Sequence, residues 1–253
     1  MRHRHQPFTY PLIVGLIFVA VWQVGVSLSG SAIFPTPVQV VKALGELIQR
    51  GDLFKYVVAS LFRVAVGFSL AVVIGVPLGL LVGWMVPAFH ALNPAIQVLR
   101  PISPIAWIPV AILWFGVNDL APIFLIFLAS LFPIMTSAMA AVQSINLTHL
   151  RASQNFGVRG FALFRQVIFP ASLPQIITGV RLALGVAWLV VVAAEMIAVN
   201  SGLGYLIIDA RNAGMRYDLV VAGMALIGLI GLVLDLMVRC LERMEDVRWG
   251  FNR

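Results

Sequence analysis

The sequence predicts an all-α, polytopic membrane protein of about six transmembrane helices, and three observations carry that prediction. The first is composition: 61% of the 253 residues are hydrophobic and only 11% are charged, where a soluble domain carries about 25% charged residues. The second is a mean hydropathy of +1.00, more apolar surface than a globular core of this size hides. The third is segmentation: the chain divides into about six apolar stretches of roughly the 20 residues that cross the hydrocarbon as a helix. These stretches use up most of the length, so no soluble catalytic domain is expected. The formal net charge of +7 does not point to nucleic acid, because arginine and lysine sit at segment ends, without a basic face or interleaved aromatics. Cys240 is the only cysteine, which excludes an intramolecular disulfide and a thiolate cluster. His3, His5, His90 and His149 lack ligand spacing, so no metal site is expected.

The first helix covers about 11–29; its apolar run lacks a small-residue cleavage site and is long enough to span, so it reads as retained. A short amphipathic helix follows, begun at the Pro35-Thr36-Pro37 turn and ended at Gly51, with Val38, Val41, Leu44 and Ile48 at helical spacing. It is expected at the membrane surface. The second span, 58–85, carries Gly67, Gly75, Gly79 and Gly83, small residues that let helix backbones approach closely in lipid. Pro94, Pro101, Pro104 and Pro109 rule out a continuous ideal helix next, and the third span is placed at 103–117, entered through a broken helix. The fourth is 121–142, a polar interruption covers 143–173, and the fifth is 174–198. A connection at 199–217 begins with a tight turn of Asn200, Ser201 and Gly202 to Gly204, and the sixth span is 218–238. All six belong to one membrane domain, residues 1–253.

Six spans put both termini on one side of the membrane. Arg2, Arg4, Arg151, Arg159, Arg165 and the arginines of the tail share that side, which the positive-inside rule assigns to the cytoplasm.

The interruption contains Leu150 to Pro174, which reads as a helical hairpin pushed out of the bilayer. Its first helix ends at Gly157, a residue suited to a left-handed cap, and its second, from Arg159 to Val167, is expected to stop at Pro170. Phe156, Phe161 and Phe164 would be exposed beside arginines, as on a protein docking surface. The residues alone fit an amphipathic loop resting on lipid headgroups equally well.

The same segment resembles the EAA loop of ATP-binding-cassette (ABC) importer permeases, in which E-A-A, three residues and a glycine precede a nine-residue spacer and I-x-L-P. Here Arg151-Ala152-Ser153, Gly157 and Val167-Ile168-Phe169-Pro170 keep that spacing, with arginine at the glutamate position and serine at the second alanine. FPTPVQVVKAL, SLFRVAVGFSLAVVIGVPLGLLVGW, LRPISPIAWIPVAILWFG and FPASLPQIITGVRLALGVAWLVVVAAEMIAVNSGLGYLI extend the likeness to nearly the whole chain. They resemble the nitrate/sulfonate/taurine/bicarbonate branch. The resemblance implies a type I ABC importer permease fold in the bacterial inner membrane. It implies a homodimer of permeases, two cytoplasmic ATPase subunits that bind ATP and Mg, and a periplasmic solute-binding protein. It makes Arg151, Ala152, Ser153, Gly157, Phe161, Phe164 and Pro170 the coupling loop, and aliphatic sulfonate or taurine, then nitrate or bicarbonate, the expected solute. The chain itself is not expected to be an enzyme or to hold a cofactor, since it has no G-x-x-x-x-G-K-[ST] phosphate loop.

Three ionisable residues are candidates for the translocation pathway. Glu195 interrupts the apolar run WLVVVAAEMIAV; a carboxylate at that depth faces a protein interior or a water-filled cavity, and a structural or gating role fits an anion transporter better than direct ligation. Arg181 lies about 21 Å from Glu195 along one helix, too far to pair with it, and reads as a snorkelling residue, as does Arg63. Arg100 beside Pro101 is the better pathway candidate, because broken helices at membrane depth line cavities. Trp107, Trp114 and Trp188 read as packing or interfacial residues. A self-sufficient secondary transporter or channel is the alternative, but it would show matching halves, and Glu195 has no counterpart in the first half. An intramembrane enzyme would need clustered catalytic groups that the apolar runs do not contain.

Overall fold

In a computed structural model, residues 9–30 and 33–242 are described, and among them all regular structure is helical. Arg2, His3, Arg4, His5 and the tail from Arg243 onward lie outside the described residues, as does the side chain of Cys240.

Helix α1 (Thr9–Ser29) is apolar on every side and buries almost nothing against the rest of the chain, as a helix facing lipid does. Helix α2 (Pro37–Arg50) starts where Thr36 and Gln39 form a reciprocal capping box and ends at Gly51, whose φ of 73° is left-handed. Its protein-facing side differs from expectation. Val40, Ala43 and Leu47 are buried against Leu206, Ala210, Leu219 and Ala222, while Val38, Val41 and Ile48 are exposed. The helix has two apolar stripes, and its neighbours use the other one.

The long helix α3 (Asp52–Trp84) and α6 (Leu120–Gln143) form the centre of the molecule. A Cβ on Gly67 would lie 2.7 Å from the Ile123 carbonyl oxygen, and one on Gly79 would lie 2.3 Å from that of Met135. The glycine stripe therefore sets backbone against backbone, as small residues in lipid-embedded helices do. The matches rise together along both chains, so α3 and α6 run parallel.

The chain returns between them as a broken element. Helix α4 (Val86–Leu99) is followed by a 3₁₀ turn (Pro104–Trp107) and α5 (Ile108–Phe115), with a bend of 84°. Pro94 is accommodated inside α4, so a helix from Val86 precedes the expected 103–117 segment. Counting this pair as one crossing, six elements among the described residues are long and apolar enough to span a bilayer.

Beyond α6, α7 (Leu147–Asn155) and the single turn α8 (Gly160–Leu163) make a hairpin. A π-helical turn (Phe164–Ile168) then leads without a break into α9 (Phe169–Ala198). Pro170 was expected to stop the hairpin's second helix; it does not. The Phe169 N–H donates to the Phe164 carbonyl five residues back, and this widened turn relieves the clash between a proline ring and the preceding turn. Helix α9 runs antiparallel to α6, with Gly179 against Ser137 and Ala194 and Ala198 beside Ala121 and Leu125.

The expected connection at 199–217 contains a further helix, α10 (Leu203–Gly214), before α11 (Tyr217–Glu242). Trp188 fixes α11 to α9: its indole N–H donates to the Ile227 carbonyl at 3.0 Å, and Gly231 leaves room for the ring.

Candidate functional site

Helices α3, α6 and α9 share two ends. One carries the 116–119 loop and the 199–202 turn with α10 beside them, and the other carries the α7–α8 hairpin. Each end holds a distinct constellation, and a cavity lies between them.

At the first end, Arg63 of α3 is buried, 1% exposed, and every nitrogen of its guanidinium is used. It donates to Glu195 Oε1 at 2.6 Å, to Asp119 Oδ1 at 2.6 and 2.9 Å, and to the Ser201 carbonyl and hydroxyl at 2.8 and 2.5 Å. Glu195 is 0% exposed. Its second oxygen accepts from the Ser60 hydroxyl at 2.9 Å and the Gly204 N–H at 3.0 Å, while Ser60 Oγ accepts from the Leu203 N–H. The carboxylate thus caps the start of α10, where unpaired N–H groups favour an anion. Gly202 has φ of 105° and a Cβ there would lie 2.3 Å from the Glu195 carboxylate, so only glycine closes this turn.

This cluster joins α3, α9, α10 and the start of α6. Glu195 therefore acts as the partner of neighbouring polar groups. The expectation that Arg63 snorkels to the interface is corrected: its counter-ion comes from another helix, a pairing that spacing along a single helix does not reveal. The general rule that intramembrane charges pair was the signal available to find it.

Arg181 does not meet Glu195 either. Its Nε donates to Asp235 Oδ1 of α11 at 2.8 Å, and Asp235 also accepts from Arg239. Arg181 is accordingly an interhelical ion pair.

Outside the spans, Arg216 bridges α2 to the start of α11, donating to Glu46 at 2.7 Å and Asp218 at 2.8 Å. The hydrogen bond from Arg216 holds the Glu46 carboxyl below its ordinary value, and the two carboxylates hold the Arg216 guanidinium above its own.

Between the two ends lies a cavity of about 260 Å³ at the α4–α5 bend, walled by α6 and α9. Arg100 lines it together with Leu99, Ile102, Trp107, Phe132 and Val186. Among the described residues the Arg100 side chain has no hydrogen-bond or ion-pair partner.

At the other end the hairpin is anchored on one side and open on the other. Leu150, Val158 and Leu163 pack against Leu80, Ala138, Val142 and Ile176, the ends of α3, α6 and α9. Gly157 reverses the chain at φ of 84°, with open space around a would-be Cβ, so its requirement is conformational. Arg151, Ala152 and Arg159 are exposed and Ser153 is half-buried, its hydroxyl donating to the His149 carbonyl. Phe156 and Phe161 stand 88% and 69% exposed. Phe164 differs from expectation: it is half-buried and stacks on Trp84 at the end of α3, ring centroids 5.0 Å apart, and Phe161 lies 6.1 Å from it. Pro170, half-buried, opens α9.

Comparison with known proteins adds the following. Residues 71–245 match the family described as binding-protein-dependent transport system inner membrane component. The putative aliphatic sulfonates transport permease protein SsuC of Bacillus subtilis is 35% identical over 240 residues, covering 94% of this chain and 86% of that one. The nitrate import permease protein NrtB of Synechocystis is 35% identical over 241 residues, 92% of this chain and 87% of that one. Among solved structures, a chain of the MetNI methionine ABC transporter in an inward-facing conformation has a TM-score of 0.58 at 20% identity, covering 73% of this chain and 94% of its own. That likeness shows a shared fold.

Proposed function

The chain belongs to the inner-membrane components of binding-protein-dependent transport systems, and on that premise we propose that it is the homodimer-forming permease of an importer for a small anion. It is a multi-pass transport subunit, a family role that entails ATPase and solute-binding partners. In this reading two copies form the pathway, both termini are cytoplasmic, and two ATPase subunits holding ATP and Mg dock on the α7–α8 hairpin. A periplasmic binding protein delivers the solute to the end that carries the Arg63–Glu195 cluster.

The observation that carries the docking assignment is the hairpin's asymmetry: one side is anchored to the three central helices, while Arg151, Phe156 and Phe161 face outward. Large exposed aromatics beside an arginine are the composition of interface hot spots. Trp84 against Phe164 then offers a direct contact from the hairpin into α3. The relatives named for aliphatic sulfonates and nitrate support a small anion as solute.

The test is a mild-detergent pull-down of the tagged chain, followed by uptake assays of two hairpin variants. Near-equal recovery of an ABC ATPase supports the reading. Gly157→Trp places a large side chain on the open face and is expected to abolish uptake. Gly157→Asn, which tolerates the left-handed conformation, is expected to retain it. Solute flux in liposomes from this chain alone, with no ATPase recovered, would overturn the importer reading; wild-type uptake by Gly157→Trp would overturn the docking assignment.

A further inference from the structure

The cavity at the α4–α5 bend lies near the middle of the membrane-spanning helices by two measures. Leu128 to Pro133, which wall it, are the middle of the 24-residue α6. Val186 is close to the middle of the 30-residue α9.

An arginine at that depth is costly unless it meets a carboxylate or a polar cavity. Arg63 and Arg181 meet carboxylates. Arg100 meets none among the described residues, and no acidic residue lines its cavity. The site therefore offers one unmatched positive charge, with a planar fork of donors suited to sulfonate or carboxylate oxygens. A dianion would leave a charge unmatched in an otherwise apolar chamber.

The walls narrow the ligand further. Leu99, Ile102, Trp107, Leu128, Phe132 and Val186 line the cavity together with Arg100, which is itself exposed, and this apolar surface gains nothing from nitrate or bicarbonate, which have no apolar part. The volume, about 260 Å³, lies just under the roughly 300 Å³ at which pockets for drug-sized ligands begin, and far above the roughly 30 Å³ of a single water. We propose that this cavity is a mid-membrane station for a monoanion with an apolar tail, Arg100 holding the anionic head and the α6 and α9 walls the tail. The inference rests on the importer reading and narrows its solute from small anions to amphiphilic ones of the alkanesulfonate kind.

The experiment uses the chain with its copurified ATPase in nanodiscs, without the binding protein, so that only a permease site is read. Methanesulfonate, butanesulfonate, hexanesulfonate and nitrate are titrated against tryptophan emission, and the difference from Trp107→Phe isolates the signal of the cavity's own indole. The expected result is saturable binding that tightens about fourfold per methylene, with none for nitrate. Arg100→Ala is expected to weaken hexanesulfonate binding roughly tenfold to hundredfold, and Arg100→Lys less, because it keeps the charge and loses the fork. Leu128→Trp, which fills the chamber and leaves Arg100 in place, is expected to abolish binding of the longer sulfonates. Wild-type affinity in Arg100→Ala, equal affinity along the series, or nitrate bound as tightly as hexanesulfonate would each overturn the station. The importer reading is scored separately in the same preparation. An intact complex with a flat titration removes the station and leaves the importer. Loss of the ATPase removes the importer, while the titration of the remaining chain still decides the station.

Discussion

Replacing Arg63 by methionine should destabilise this protein more than any conservative change at its partner Glu195, although the two share one ion pair. The reason is where each leaves the other. In Arg63→Met the Glu195 carboxylate, 0% exposed, keeps only the Ser60 hydroxyl and the Gly204 N–H. Its charge then has no counter-ion, and breaking a buried pair in this way costs about 3–5 kcal/mol. In Glu195→Gln the side chain keeps its shape and an oxygen for Ser60 and Gly204, while its amide N–H group faces the Arg63 donor and that one hydrogen bond is lost. Arg63 still reaches Asp119 at 2.6 Å, and that carboxylate is 59% exposed, so water shares in solvating the pair. The loss is then that of one charge-assisted hydrogen bond, about 1.5–3 kcal/mol. Asp119→Asn, at an exposed partner, should cost under about 1 kcal/mol.

The assay is thermal unfolding of the three purified variants in one detergent, followed by the double variant Arg63→Met/Glu195→Leu. Removing both charges abolishes the orphan, so the double variant should be more stable than the sum of its single changes predicts. Coupling between residues in one network amounts to about 0.5–3 kcal/mol. Glu195→Gln proving as damaging as Arg63→Met, or strict additivity in the double variant, would refute the reasoning that Glu195 is buried as an anion dependent on Arg63.

Three further outcomes follow from local geometry. Gly79→Ala should lower stability by about 1–3 kcal/mol, because the new methyl group would sit 2.3 Å from the Met135 carbonyl oxygen. Gly45→Ala, on a helix with open space at that position, should not, and melting the pair side by side checks both. Trp84→Ala should remove about 0.5–1.5 kcal/mol of aromatic contact with Phe164 and raise hydrogen exchange selectively over 147–163, whereas Trp84→Phe should restore protection. Glu46 has its carboxyl held below 4.5 by Arg216, so its contribution is fully present above that value and is lost as pH falls through the lower folded one. Acidification below 4.5 should therefore loosen α2 from α10 and α11, a change visible in the emission of Trp22 in the same cluster and absent in Glu46→Gln.

The parts of the fold legible in the sequence were those set by local chemistry. Pro35-Thr36-Pro37 and Gly51 bounded α2 because a cap and a left-handed glycine act within a few residues. The α3 glycines announced close packing because nothing else explains four of them on one apolar helix. What failed was non-local or masked by a strong local signal. Gly202 and Gly204 read together as a turn, yet only Gly202 has a positive φ; Leu203, Leu206 and Ala210, buried at spacings of three and four, were the helical signal of α10 that the glycines hid. Pro94 and Pro170 read as breaks, but one is absorbed in α4 and the other follows a π turn. The stripe of α2 that faces protein could not be chosen from its own periodicity, since both stripes are apolar and the choice belongs to α10 and α11. In the candidate site, the turn glycines and Glu195 were visible, whereas the pairing of Glu195 with a helix 132 residues away was not.

The intramembrane arginines show how such pairing separates scaffold from pathway. All three sit in apolar sequence, so hydropathy treats them alike. Arg63 is surrounded by acceptors from three elements and is out of reach of any solute; it holds the turn that starts α10. Arg181 spans two neighbouring helices and pairs with Asp235, a carboxylate it shares with Arg239. Each of these has an acidic partner that a sequence can supply in trans to the helix, and each is thereby withdrawn from solute chemistry. Arg100 lies where the chain bends by 84°, between two prolines and the start of a 3₁₀ turn, and among the described residues no neighbouring element brings it a carboxylate. Among the described residues Arg100 is thus the intramembrane arginine that no carboxylate of the chain meets, and in the proposed importer its counter-ion would come from outside the chain.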